Sequence, residues 1–154
     1  MKKDFARRFA YLMDILPEKL GQISEADFSA KPSPEKWSKK QILGHLIDSA
    51  QNNLRRFICA QYESVPPWIV YHQDIWVAAN DYQSAIREEL VQLWRLMNER
   101  VISVLKTMDE KYYTRLVNTG KDTVQYHSVL ALADDYVQHM KHHLNQIMPT
   151  SFNT

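Results

Sequence analysis

Apolar residues recur at three- and four-residue spacing along four stretches of the chain, each bounded by glycine, proline or polar turn residues. The first runs from about Asp4 to Leu20 through Phe5, Phe9, Leu12, Ile15 and Leu16, with Gly21 as its stop. Pro32 and Pro34 then forbid a continuous helix. The second begins at Ser38, where Gln41 completes a capping-box pattern, and carries Ile42, Leu46, Ala50, Leu54, Phe57 and Ile58 toward Tyr62. Pro66-Pro67 ends it. A connection of roughly 15 residues follows, long for a compact bundle. It holds Trp68, Tyr71 and Trp76, so it is expected to pack over one end of the bundle, with a short helical turn around Asp74 to Ala79.

The third helix is expected from Asn80-Asp81 to Met108 through Ile86, Leu90, Leu93, Met97, Ile102 and Leu105. A loop from Asp109 to Tyr126 contains the turn signal Gly120-Lys121-Asp122. The fourth helix runs from His127 or Ser128 to Met148, stopped by Pro149, with Val129, Ala133, Tyr136, Val137, Met140, Leu144 and Ile147 on its core face. Four amphipathic helices with no convincing strand predict an all-α four-helix bundle, and the long connection permits a crossover topology. At 154 residues the chain fits one domain, 1–154.

Composition removes several function classes. The net charge of +1 creates no field that recruits nucleic acid or an anionic membrane. The pairs Arg7-Arg8, Lys39-Lys40 and Arg55-Arg56 read as solvated helix faces. With three glycines there is no glycine-rich phosphate loop, and no stretch approaches the ~18 apolar residues of a membrane span. No signal peptide is evident, and the single Cys59, in an apolar run, reads as a small buried hydrophobe in a reducing compartment. A cytoplasmic location is expected.

The chemistry lies in the histidines. His139 and His143 are four apart, so both face one side of a helix, at the edge of the stripe formed by Tyr136, Met140 and Ile147. Two imidazoles so placed can close on one cation. His142 is rotated by about 100° and points elsewhere, exposed or as an outer partner. A third ligand must come from another helix. His45 stands at the edge of the second helix's stripe, with Ser49, Asn52 and Arg56 continuing a polar strip along that face. His72 and His127 sit in or beside loops and are read as non-ligands.

The blocks Trp37-Ser38-Lys39-Lys40-Gln41-Ile42-Leu43-Gly44-His45-Leu46-Ile47-Asp48, Asn52 with Arg56-Phe57, Tyr71-His72-Gln73-Asp74-Ile75-Trp76, and His139-Met140-Lys141-His142-His143-Leu144-Asn145-Gln146-Ile147 together resemble the DinB/YfiT-like superfamily. That resemblance implies a bundle with crossed helix order, commonly a homodimer, and one divalent ion held by His45, His139 and His143. It also implies a low-molecular-weight-thiol S-transferase that joins a thiol such as bacillithiol or mycothiol to an electrophile. A metal-dependent hydrolase using metal-bound hydroxide and a non-enzymatic dimeric metal-binding stress protein are the alternatives. Zinc or nickel is the expected ion. Asp48, Asn52 and Arg56 are the candidate helpers: Asp48 as proton acceptor or as partner of an imidazole N–H, the other two to orient a polar ligand. Cys59 has no identifiable base, and no Gly-x-Ser-x-Gly element occurs.

Overall fold

The computed structural model describes residues 2–149 and Phe152; the side chains of residues 2–6 and 8 lie outside the described set, including Phe5 of the expected stripe and Arg8. Helix α1 (Lys2–Gly21) buries Phe9, Leu12, Met13, Leu16 and Leu20. Each large side chain so removed from water contributes about 1.5–3 kcal/mol. A short helix unforeseen in the sequence, α2 (Glu25–Ser29), follows. Ser24 caps it by accepting from the Asp27 N–H at 3.1 Å, and Phe28 anchors it with no exposed surface.

Helix α3 (Lys39–Tyr62) starts as expected. The Ser38 hydroxyl accepts from the Gln41 N–H at 3.1 Å, and the Gln41 side chain accepts from the Ser38 N–H at 3.0 Å. Lys39 and Lys40 are not a solvated face. Lys39 pairs with Asp27 at 2.8 Å and buried Lys40 with Glu25, tying α2 to the start of α3. Arg56 is likewise buried, whereas Arg55 is exposed. Ile58 is exposed, off the stripe expected for it.

The long connection contains α4 (Gln73–Ala79), as the sequence suggested. The next long helix, α5 (Arg87–Thr107), begins later than expected. Asp81 adopts a left-handed backbone with φ 46°, which ends α4 and launches a 3-10 turn over Tyr82–Ser84. Ile86 then acts as the cap residue. The buried face of α5 is Leu90, Val91, Trp94, Asn98, Val101, Ile102 and Leu105, leaving Ile86 and Leu93 exposed. Two three-residue strands, β1 (Leu116–Asn118) and β2 (Tyr126–Ser128), pair antiparallel where a loop was expected, with Val117 opposite His127. Trp68 lies beside Asn118 in a parallel bridge, so the segment after α3 is stitched to the hairpin. Helix α6 (Val129–Ile147) completes the bundle, capped by Ser128.

Helix α1 packs on α5, α5 on α3, and α3 on α6. Phe9 of α1 meets Tyr136 of α6 edge-on at 5.7 Å, which closes the ring of four. Of the long helices adjacent in sequence only α3 and α5 are principal packing partners, while α1 sits on α5 and α6 on α3, as a crossover requires. Among the described residues no helix is long and apolar enough to cross a membrane.

Candidate metal centre

Leu43, Leu46, Ile47, Ala50 and Phe57 fix the rotation of α3 by facing the core. That rotation carries His45, Ser49, Asn52 and Arg56 into the interior beside α6, and all four are buried. On α6, buried Tyr136, Met140 and Leu144 hold His139 and His143 half-buried at the stripe's edge. The two helices bring one nitrogen from each of His45, His139 and His143 within 4.8 Å of one another. The Nε2 atoms of His45 and His139 are 3.1 Å apart. Two nitrogens bound to one ion at about 2.0–2.1 Å lie about 2.9–3.4 Å apart for bond angles from square to tetrahedral, so this separation fits a shared cation.

The electrostatics agree with that use. Burial, with the neighbouring imidazoles adding to it, pushes His45 down to about 3. Burial likewise takes His139 to about 4 and lowers His143. All three rings are neutral at physiological pH, the form that ligates. Gln146 Oε1 accepts from His143 Nδ1 at 2.7 Å, which leaves His143 Nε2 with its lone pair. His45 sits between Trp37, at 5.2 Å, and a stacked Tyr71, at 6.3 Å. Its Nδ1 is buried without a partner.

Asp48 is fully buried and does not hydrogen-bond an imidazole. Its Oδ1 accepts from the Tyr82 hydroxyl at 2.6 Å and from Asn80 at 3.2 Å, while Oδ2 has no partner. Burial raises its carboxyl to about 6, the Tyr82 bond opposing the rise. The Tyr82 ring reaches Asp48 by lying on Gly44, where a Cβ would meet ring carbons at 2.1 Å. Asn52 donates to the Asp48 carbonyl at 2.9 Å. Arg56 Nε and Nη2 donate to the Ile69 carbonyl at 3.1 and 2.9 Å, and Nη1 donates to Asn53 Oδ1 at 3.3 Å. A cavity of about 380 Å³ lined by Arg56, Tyr71 and Asp135 adjoins the cluster through Tyr71.

The sequence profile of the DinB superfamily matches residues 8–147. The chain belongs to the DinB superfamily. It is 24% identical to YfiT of Bacillus subtilis (strain 168), named as a proposed metal-dependent hydrolase, over 98% of this chain and 86% of that protein. A second protein so named, from Halalkalibacterium halodurans, is 26% identical over 86% of this chain and 75% of its own. The structure of YfiT, described as an unusual four-helix bundle topology, superposes with a TM-score of 0.78 at 22% identity, covering 92% of this chain and 83% of that one. A mycothiol-dependent maleylpyruvate isomerase shares the fold at a TM-score of 0.72 and 10% identity, covering 98% of this chain and 61% of the isomerase.

Within this DinB chain, neither His72 nor His127 joins the cluster, and both are exposed. His142 is exposed, its Nε2 3.4 Å from Gln146. Cys59 is buried, with Sγ 3.3 Å from the Tyr62 hydroxyl. Sequence reasoning passed over Gln146 and Asp135 as parts of the site. Gln146 stands three residues after His143, a spacing that places the two side chains together, so it was readable. Asp135, one turn before His139, was readable in the same way.

Proposed function

We propose that the protein holds one divalent ion, zinc or nickel, on His45, His139 and His143 and uses it to activate a low-molecular-weight thiol for transfer to an electrophile. The observation that carries this reading is the convergence of three neutral imidazoles without a carboxylate among them, beside a cavity large enough for a small molecule. An ion so held, when bound, favours the ionised form of a thiol or water that joins it. His45 and His139 supply the fixed edge of the site, and Gln146 keeps the tautomer of His143. Trp37 and Tyr71 shield His45 from water. In the transfer itself the thiol proton passes to solvent, the sulfur bonds to an electrophilic carbon, and the leaving group departs with the electron pair. The mycothiol-dependent isomerase supplies a thiol precedent on this fold.

Elemental analysis of tag-free protein should find close to one ion per chain, and His45→Ala or His143→Ala should lose it. Metal-loaded protein is then incubated with bacillithiol, glutathione or coenzyme A and an alkylating probe. No rate above the metal-stripped control with any thiol removes the transferase reading. Hydrolysis at the same centre is the second reading, favoured by the names of the two relatives. Ester or amide turnover without thiol separates the two.

A further inference from the structure

The cavity beside the three histidines is charged in a way that metal binding does not require. Arg56 enters it from α3, Lys121 and His127 from the β1–β2 hairpin, and Asp135 from α6. Arg56 is only 9% exposed, yet its hydrogen bonds go to neutral acceptors: the Ile69 carbonyl and the Asn53 side chain. A guanidinium has five N–H groups, and these bonds occupy three. Among the described residues no carboxylate forms an ion pair with it; Asp135 lines the same cavity without reaching ion-pair distance. A buried cation with no counter-ion in contact is costly, Asp135 acting on this one only from a distance, and the two remaining N–H groups, on a side chain that lines the cavity, suit a carboxylate. With Lys121 and Arg56 set against Asp135, the formal charge of the lining is +1 − His127 being counted neutral − so the cavity favours an anion.

We propose that this cavity receives the carboxylate of a thiol-bearing small molecule, with Arg56 as the receiving group and Lys121 drawing the anion in at the rim. The sulfur then points back toward His45, His139 and His143, past Tyr71, whose ring belongs to both the cavity wall and the stack on His45. Arg56 is thereby a specificity residue: it distinguishes carboxylate-bearing thiols from uncharged ones. The inference deepens the thiol reading given above and rests on it for the identity of the sulfur end, while the carboxylate end rests on the cavity alone.

The test uses full-length protein loaded with cobalt(II), whose sulfur-to-metal charge-transfer absorption reports thiol binding, and two probes, mercaptosuccinate and 2-mercaptoethanol. Wild type should bind mercaptosuccinate about tenfold or more tightly than 2-mercaptoethanol, as expected for a charge-assisted contact. Arg56→Met should abolish the advantage of mercaptosuccinate over 2-mercaptoethanol. Lys121→Glu, on the exposed hairpin where folding is not at risk, should weaken mercaptosuccinate selectively. Equal affinity for the two thiols in wild type, or a preference that survives both substitutions, overturns the proposal. In a second arm, succinate is titrated calorimetrically into metal-free wild type and into both variants. Binding that is lost in the variants supports the anion site even if no thiol reaches the cobalt, an outcome that sinks the thiol reading instead. No heat with succinate in wild type counts against the anion site whatever the cobalt spectra show.

Discussion

His45 is packed among rings, and taking an imidazole out of water favours its uncharged form. Its folded value of about 3 lies below the ordinary 6.5, so on acidification the unfolded chain takes up a proton that the folded chain refuses. The stability tied to His45 is whole above about pH 6.5 and drains away as pH falls toward the folded value. Asp48 has the opposite sign. Its folded value of about 6 exceeds the ordinary 3.8, so its contribution is present at low pH and is lost as pH rises through 6. For metal-free protein we expect the His45 contribution to amount to about 2 kcal/mol of lost stability between pH 7 and 5. His45→Gln should flatten that decline and Asp48→Asn should steepen it, which urea midpoints across the pH range would reveal. If both variants followed the wild-type slope, neither group would be titrating as its surroundings dictate.

Helical period made the three histidines readable, because position along a helix fixes direction and each stands at the edge of an apolar stripe. No such rule covers contacts made by turns. Tyr82 was hidden inside what the pattern read as the third helix, and only the left-handed backbone at Asp81 swings it onto Gly44 and Asp48. The hairpin was hidden because three-residue strands are too short for alternation to register. Helix α2 did leave a trace, in Ser24 followed three residues later by Asp27 and then the apolar Phe28. The elements are joined at points that can be probed. Gly44→Ala forces the Tyr82 ring away from α3 and should cost about 1–3 kcal/mol by overpacking, lowering the denaturation midpoint. Between α5 and α6, the Tyr136 hydroxyl donates to Asn98 Oδ1 at 2.5 Å in the core. Tyr136→Phe strands that buried oxygen and should cost about 1–3 kcal/mol, whereas adding Asn98→Leu should recover part of the loss.

At the scale of the molecule, the four-helix class and its crossing were legible from four periodic stripes and one long connection, but the order of packing was not. Which helices touch depends on the detailed shape of each face, as Trp94 and Asn98 of α5 illustrate, and a stripe alone does not encode that. The core closes without help from the histidines, so chelator-treated protein should keep its helical circular dichroism. Ion binding to the folded state alone adds stability by mass action, about 2.7 kcal/mol at a free concentration one hundred times Kd. Zinc or nickel should therefore raise the melting temperature of wild type and leave that of His143→Ala unmoved. The histidines ride on long helices anchored throughout the core, whereas most of the cavity wall comes from the stretch behind Pro67 and from the hairpin stitched to it. Substitutions in these peripheral segments, Tyr71 aside, can accumulate without touching the imidazoles, so evolution is free to rewrite the guest list of such a protein while its reactive centre stays as it is.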